Sequence, residues 1–133
     1  MEKKIIYSEN APRPLGPYSQ AVACGGFLFA AGQLGIDPRT GKLVDGGVKA
    51  QALQIMSNLS AVLSEAGSSF GDVVKSTIFL ADMGDFAAVN DVYGGYFRQN
   101  HPARSTVQVA ALPLGALVEI EVTAILPGGS LSF

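Results

Sequence analysis

The chain is poor in the residues from which metal and redox sites are usually built. Its 133 residues include one cysteine, one histidine and no tryptophan. A single cysteine cannot close an internal disulfide, and Cys24 with His101 alone cannot form a structural zinc site within one chain. We interpret Cys24 as a small buried apolar residue in a strand, and His101, directly before Pro102, as a turn residue poorly placed for a catalytic base. So few thiols fit the reducing cytoplasm, which is the expected location.

Charge is scarce as well. Charged residues make up 15% of the chain, the formal net charge is −2 and the isoelectric point is about 5.2. No run of lysine and arginine exceeds Lys3-Lys4, so the electrostatic footprint of a nucleic-acid-binding protein is missing and no nucleic-acid partner is expected. No apolar run approaches the roughly 18 residues of a membrane span, so no membrane partner is expected. The segment Met-Glu-Lys-Lys-Ile-Ile-Tyr is too polar and too short for a signal peptide.

Apolar residues, in contrast, are abundant. They form 48% of the chain, and the mean hydropathy is +0.31. A chain of this length makes one domain with its own core, which we predict over residues 1–133. Because the apolar content exceeds what one small core covers, we expect the surplus to be buried between copies in a homo-oligomer.

Hydrophobic periodicity predicts six strands and two helices. Gly25-Gly26 between the second and third strands is typical of a hairpin turn, residues 32–47 are predicted to be a loop, and Asp85 is expected to cap the second helix. The order β-β-β-α-β-α-β-β favours an α/β (α+β) fold, with one mixed six-stranded sheet, two helices on one face and the other face free for partners. The predicted strands cover residues 5–7, 20–24, 27–31, 72–81, 105–110 and 117–126, and the predicted helices cover residues 48–66 and 86–99.

Three charged residues fall in segments that otherwise resemble buried sheet: Arg104, Glu119 and Glu121. Burying a charge costs several kcal/mol unless it is paired. The planar guanidinium of Arg104 matches a carboxylate and could bind a small anion, although pairing with a surface acid is the commoner use of such an arginine. The two glutamates share one strand face, where they could position a water molecule or simply line a solvated face or a contact between subunits.

Other residues give weaker signals, each with a structural alternative. Tyr18 follows Pro17 and could form a rigid wall for a ligand or belong to the core. Gly32 could offer its backbone N–H to an anion or merely end a strand. Asn90 lies inside the second helix, where asparagine is unfavourable unless its amide has a partner. Nucleophile elbows, phosphate-binding loops and dinucleotide-binding motifs do not occur.

Taken together, the motifs resemble those of the RidA (YjgF-type) reactive-intermediate deaminase family over nearly the whole length. Each motif is modest evidence alone, but their order along the chain is specific. The motifs are Ser8-Glu9-Asn10-Ala11-Pro12, Gly16-Pro17-Tyr18-Ser19-Gln20-Ala21, Ala31-Gly32-Gln33-Leu34-Gly35, Asp37-Pro38-x-Thr40-Gly41, Asp85-Phe86-x-x-Val89-Asn90, Pro102-Ala103-Arg104-Ser105, Val109-Ala110-Ala111-Leu112-Pro113 and Glu119-Ile120-Glu121.

The resemblance implies a chorismate-mutase-like subunit assembled as a homotrimer, with the sites in clefts between subunits. It also implies hydrolysis of small 2-imino acids, such as 2-iminopropanoate, 2-iminobutanoate and the enamine 2-aminoacrylate, to 2-keto acids and ammonia. The family uses no cofactor and no metal. The alternative is a trimer that binds small acids or protein partners without turnover, since relatives have been linked to chaperone-like, translation-inhibiting and ribonuclease roles.

The resemblance assigns roles residue by residue. Arg104 matches the arginine that holds the substrate carboxylate, and Glu119 matches the acid assigned to the attacking water. Three further positions match residues that line the cleft: Tyr18, the backbone donor Gly32, and Asn90. The backbone carbonyl of Thr106 is expected to help orient the water. The chain departs from many members at two positions, with Thr106 in place of cysteine and Ala31 in place of serine.

Overall fold

Two helices and nine strands make up the fold of residues 1–127, the part of the chain that the structure, a computed structural model, describes. Both predicted helices and all six predicted strands are present. The helices are α1 (Gly47–Glu65) and α2 (Phe86–Gly94), and the strands are β1 (Lys4–Ile6), β2 (Ala21–Cys24), β3 (Phe27–Ala30), β4 (Gln33–Leu34), β5 (Ile36–Asp37), β6 (Lys42–Leu43), β7 (Val73–Leu80), β8 (Ala103–Gln108) and β9 (Val118–Ile125).

The main sheet has the order β1-β2-β3-β9-β7-β8, and the short strand β4 also pairs with β9. The β7–β8 pair is parallel and every other pair is antiparallel, so the predicted mixed sheet is confirmed. The turn between β2 and β3 consists of Gly25 and Gly26, whose positive φ angles of 60° and 84° match the twist of a two-residue hairpin. The region 32–47 is not the predicted loop, because it contains β4 and the separate β5–β6 hairpin.

Both helices pack on one face of the main sheet, as predicted. Helix α1 buries Ile55 and Leu59 completely, and these side chains join Ile78 of β7 and Ile120 of β9 in one core. Along β9, buried and half-buried residues alternate from Val118 to Ala124. Alternate positions of each strand therefore belong to two surfaces, a core face under the helices and an open face on the other side.

The open face of the sheet keeps large apolar side chains at the surface. Five of them, from four different strands, are between 40% and 53% exposed: Ile5, Phe27, Phe29, Val107 and Ile125. Cys24 lies on this face too and is only half-buried, so the prediction of a buried cysteine is wrong. The surplus of apolar residues noted in the sequence is therefore concentrated on one side of the sheet.

Helix α2 is shorter than predicted. It ends at Gly94 instead of Gln99, and the backbone continues through tight turns in which the N–H groups of Gly95 and Tyr96 donate to the carbonyls of Val92 and Tyr93. Successive glycines weaken a helix because each loses more backbone entropy than other residues. The predicted side-chain cap by Asp85 is also absent.

Gly35 fixes the distance between the β4–β5 segment and helix α1. A Cβ atom built on Gly35 would lie 2.7 Å from the Cα atom and 2.8 Å from the carbonyl oxygen of Gln51, both backbone atoms that cannot rotate away. We therefore expect Gly35→Ala to lower the free energy of unfolding by about 1–3 kcal/mol, the usual cost of overpacking. Urea denaturation measures the loss.

Gly94→Ala is the matched control for Gly35→Ala. A Cβ atom on Gly94 meets no atom within 4 Å, and alanine is about 1 kcal/mol better than glycine in a helix. We expect this variant to be as stable as the parent protein or slightly more stable. Equal urea midpoints for the two variants would show that Gly35 is not tightly packed against α1.

Candidate functional site

A cavity of about 410 Å³ opens on the same side of the sheet as the open face, between two loops and the start of β9. Most of its lining is apolar, and Glu119 is its one acidic residue. The lining residues are Pro12, Arg13, Leu15, Gly16, Pro17, Tyr18, Gln20, Ala31, Gly32, Gln33, Leu34, Ile36, Pro113 and Glu119. Three residues predicted from the sequence to belong to a site therefore share one cavity, namely Tyr18, Gly32 and Glu119.

Glu119 supplies the one carboxyl group in the lining of this cavity. It lies opposite Phe79 in the β7–β9 register and two residues before Glu121 on the open face. Burial raises the pKa of the Glu119 carboxyl above its usual value of 4.5, and the negative charge of Glu121 raises it further. A carboxylate with a raised pKa is a stronger proton acceptor, which suits a group that activates water.

Gly32 allows the Glu119 carboxyl to approach the backbone. A Cβ atom on Gly32 would lie 2.8 Å from the carboxyl carbon and 3.0 Å from Oε2 of Glu119. The requirement for glycine here is therefore one of space, in addition to any role of its N–H group. The sequence indicated a possible role for the N–H group of Gly32, but not this steric requirement.

We expect Gly32→Ala to fold normally and to lose most of any activity that depends on Glu119. The new methyl group has to push the carboxyl aside, and the side chain of Glu119 is flexible enough to move without disturbing the backbone. A displacement of about 1 Å in a reacting group can cost on the order of 100-fold in rate. Turnover and thermal unfolding of the purified variant test this, and unchanged turnover would contradict the proposed closeness of the two residues.

Tyr18 forms a wall of the cavity and is held in place by its own loop. Its phenolic oxygen accepts a hydrogen bond from the N–H of Leu15 at 3.0 Å, and its own N–H donates to the carbonyl of Gly16 at 2.8 Å. The side chain is 50% exposed, so Tyr18 is not a core tyrosine. The ring is thus rigid and accessible, as a ligand-contacting surface requires.

Buried amide side chains anchor the loops that form the cavity. The amide of Gln20 accepts from the N–H of Ser8 at 2.6 Å and donates to the carbonyls of Ser8 at 3.0 Å and Pro12 at 2.9 Å. On α1, Asn58 donates to the carbonyls of Leu34 and Ile36, at 3.2 and 2.9 Å. Because a buried amide must be hydrogen-bonded, these contacts fix the backbone of both loops relative to the core.

Gln51 and Asn58 are two structural residues that were not predicted from the sequence, although a signal for them exists. Both lie on the buried side of α1, seven residues apart, with Ile55 between them. A polar side chain on the apolar side of a helix needs a partner outside the helix. Gln51 provides such a contact by accepting the N–H of Leu117 at 2.9 Å, directly before β9.

Arg104 lies on the other face of the sheet. In the parallel β7–β8 register it is the partner of Ser76, which is 1% exposed and faces the helices. Its guanidinium carbon lies 5.0 Å from the ring centre of Tyr93 and 5.5 Å from that of Phe86, both on α2. Within residues 1–127 no carboxylate lies within 4 Å of it, since the ion pairs found there are Arg39–Asp37 and Lys49–Asp91. Arg104 is therefore not paired with a surface acid among residues 1–127, and the alternative interpretation of this arginine is not supported there.

Thr106 and Asn90 belong to the same neighbourhood as Arg104. Thr106 follows Arg104 by two residues on β8 and shares its face. The Thr106 hydroxyl is buried and makes no hydrogen bond to any other described residue. Asn90 is half-buried and lies four residues after Phe86 and three before Tyr93, which places the three on one side of α2.

The predicted site residues thus form two groups on opposite faces of the sheet. Tyr18, Gly32 and Glu119 line the cavity on the open-face side, whereas Arg104 and Thr106 lie on the core face at the edge strand β8. One chain cannot bring the guanidinium of Arg104 to the carboxyl of Glu119 without breaking the sheet between them. A site that uses both groups requires a second copy of the chain.

Residues 1–127 contain no group of three or more histidine, cysteine, aspartate or glutamate side chains arranged to hold a metal ion. No helix in that range is both long and apolar enough to cross a membrane.

Known proteins resemble this chain over most of its length. The model of a family described as endoribonuclease L-PSP matches residues 8–126. A RutC family protein of Pyrococcus horikoshii is 52% identical over 92% of this chain and 97% of its own. The 2-iminobutanoate/2-iminopropanoate deaminase of Capra hircus is 50% identical over 92% of this chain and 90% of its own. The crystal structure of E. coli TdcF with bound serine superposes with a TM-score of 0.87, at 41% identity over 92% of this chain and 98% of TdcF.

Proposed function

Because the chain belongs to the RidA (YjgF-type) family, whose model is described as endoribonuclease L-PSP, we propose that it hydrolyses 2-imino acids to 2-keto acids and ammonia. The substrates are 2-iminopropanoate, 2-iminobutanoate and the enamine tautomer 2-aminoacrylate. The name of the Capra hircus relative and the serine bound to TdcF support small amino-acid-derived substrates. The proposed place of action is the cytoplasm, where dehydratases that use pyridoxal phosphate release such imines.

The main support for the proposal is that, within one chain, a cation and a proton acceptor lie on opposite faces of the sheet. Arg104 has no acidic partner among residues 1–127, and Glu119 lies in an apolar cavity with a raised pKa. We propose a homotrimer in which β8 of one copy packs beside the cavity of the next. This arrangement places Arg104 near Glu119 and covers apolar side chains such as Phe29 and Ile125 of the open face.

In the proposed mechanism the substrate carboxylate binds the guanidinium of Arg104 through two parallel N–H donors. Tyr18 and the backbone at Gly32 border the substrate on one side, and Asn90 contributes its amide on the side of Arg104. The carbonyl of Thr106 and the carboxylate of Glu119 orient a water molecule toward the imine carbon. Because a protonated imine is already electrophilic, most of the rate gain comes from positioning.

Glu119 moves the protons of the reaction. Its carboxylate accepts a proton as the water oxygen bonds to the imine carbon, which gives a carbinolamine. It then returns that proton to the nitrogen and accepts the proton of the carbinolamine hydroxyl as the carbon–nitrogen bond breaks and the carbonyl forms. The accepted proton passes to the departing ammonia, which leaves as ammonium. One protonated imine and one water give one 2-keto acid and one ammonium ion, so the step needs neither an oxidant nor a reductant.

The direct test is ammonia release in the presence of a threonine dehydratase, which generates 2-iminobutanoate in solution. We expect the purified protein to accelerate formation of ammonia and 2-ketobutyrate above the spontaneous rate. Absence of acceleration at micromolar protein would contradict the proposal.

RNA cleavage is the second candidate function, because the matching family model is described as an endoribonuclease. The net charge of −2 does not favour it. Incubation of the same preparation with a structured RNA separates the two functions. RNA degradation that survives chromatography and is accompanied by no imine hydrolysis would favour the ribonuclease.

A further inference from the structure

The guanidinium of Arg104 lies beside two aromatic rings of helix α2, which we call the aromatic clamp, formed by Phe86 and Tyr93. The residues are seven positions apart, so they occupy the same side of the helix two turns from each other. From this geometry we infer that the clamp positions Arg104 for the substrate carboxylate and sets the affinity of the site for 2-imino acids. The inference rests on the proposed function and adds two positioning residues to it.

The clamp holds the cation without using its hydrogen-bond donors. Aromatic faces attract a guanidinium through their electron density, whereas the N–H groups point outward in the plane of the guanidinium. An acidic partner would hold Arg104 equally well but would occupy the donors that a substrate carboxylate needs. Among residues 1–127 no acidic side chain takes that place.

A hydrogen bond to the neighbouring strand fixes the ring of Tyr93. The phenol of Tyr93 and the hydroxyl of Ser76 are 2.6 Å apart and both side chains are buried. Ser76 is also the register partner of Arg104 in the β7–β8 pair. One strand position therefore places the arginine backbone and holds the ring that its guanidinium contacts.

Preorganisation is the physical benefit of this arrangement. A free arginine side chain samples many rotamers, and ordering it on binding weakens affinity. A guanidinium already held beside two rings loses less freedom when the carboxylate arrives. Because the same contact is present before and during the reaction, its removal should raise KM and leave kcat nearly unchanged.

Phe86→Leu is the principal test, because Phe86 is 37% exposed and leucine is tolerated at such a position without unfolding. We expect KM for 2-iminobutanoate to rise about three- to tenfold, with kcat within about twofold of the parent value, as expected for loss of one cation–π contact. Phe86→Tyr, which keeps the ring, should restore the parental KM. An unchanged KM in Phe86→Leu would overturn the inference.

Variants of Tyr93 and Phe70 separate positioning from general stability. The double variant Ser76→Ala, Tyr93→Phe keeps the ring but removes the hydrogen bond that fixes it, so its KM should rise, but less than in Phe86→Leu. Phe70→Leu removes a ring that packs on Tyr96 and Phe97 and is connected to the clamp ring Tyr93 only through Phe97, so KM should stay close to the parental value. A rise in KM for Phe70→Leu equal to that for Phe86→Leu would indicate a nonspecific packing effect and overturn the inference.

Binding of 2-ketobutyrate, measured by calorimetry, distinguishes failure of this inference from failure of the proposed function. If the parent protein binds the 2-keto acid but does not hydrolyse imines, the proposed function fails, and a three- to tenfold weaker Kd in Phe86→Leu still supports the clamp. If the Kd is the same in both proteins, the clamp is contradicted whatever the activity. A parent protein that neither binds the 2-keto acid nor hydrolyses imines overturns both.

Discussion

Replacing Arg104 by alanine is expected to abolish the measurable acceleration of ammonia release, with kcat/KM reduced by at least about 30-fold. Truncating one partner of a desolvated, hydrogen-bonded charge pair costs 2–5 kcal/mol or more, which corresponds to a loss of this size. The fold should survive the substitution. No acidic side chain among residues 1–127 is paired with Arg104, so removing the guanidinium leaves no buried carboxylate there without its partner. The measurement is the dehydratase-coupled assay together with thermal unfolding.

Arg104→Lys is the matched control for Arg104→Ala. Lysine keeps the positive charge and can still lie beside the rings of Phe86 and Tyr93, but it lacks the planar pair of donors. We expect a partial loss of activity, between the parent protein and Arg104→Ala. Full activity in Arg104→Ala would mean that the substrate carboxylate is bound elsewhere.

The second large effect is expected for Glu119→Gln, with kcat reduced by about 100-fold or more and KM little changed. Glutamine has nearly the same shape but cannot accept a proton from water, and general-base catalysis typically contributes 10²–10⁴-fold. Because the folded state penalises the ionised form of this carboxyl, the neutral variant should also unfold at the same temperature as the parent or higher. A variant that retains full kcat would remove Glu119 from the mechanism.

The pH dependence of kcat gives an independent check on Glu119. The group works as a base when ionised, so activity should fall as the pH is lowered through its folded-state pKa, which lies above the usual value of 4.5. The charge of Glu121 contributes to that increase, and Glu121→Gln should therefore shift the acid limb to lower pH. A limb that stays in place in Glu121→Gln would show that another group controls it.

Local features of the fold could be predicted from the sequence where one short segment decides the outcome. The hairpin at Gly25-Gly26 needs two adjacent residues with positive φ, and few sequences other than Gly-Gly or Asn-Gly provide them. The alternation along β9 follows from the period of two in any strand with one buried side. Strands β4, β5 and β6 were missed because two residues are too few to establish a period.

The arrangement of the site could be predicted only in part. Alternation assigns Arg104 and Thr106 to one face of β8, and Glu119 and Glu121 to one face of β9, but it cannot relate the faces of two different strands. That relation follows from the strand order and the register with β7, which depend on contacts distant in sequence. The identity of the site residues remains a prediction based on family motifs, and their separation into two groups is visible only in three dimensions.

The same limit applies to the aromatic clamp. The spacing of Phe86 and Tyr93 predicts a shared helix side, and that side would ordinarily be assigned to the core. Tyr93 is indeed buried, yet its ring also contacts a cation from an edge strand. Sequence periodicity cannot distinguish a ring that packs on aliphatic side chains from one that packs on a guanidinium.

In the proposed trimer each site takes Arg104 from one copy and Glu119 from the next. Mixing two inactive proteins, Arg104→Ala and Glu119→Gln, tests it after the subunits have been dissociated and reassembled at equal concentrations. In a cyclic trimer every mixed assembly contains one intact site, so random mixing predicts recovery of about a quarter of the parental activity. Each variant reassembled alone should remain inactive, and a mixture that is equally inactive although mixed trimers have formed would contradict the shared site.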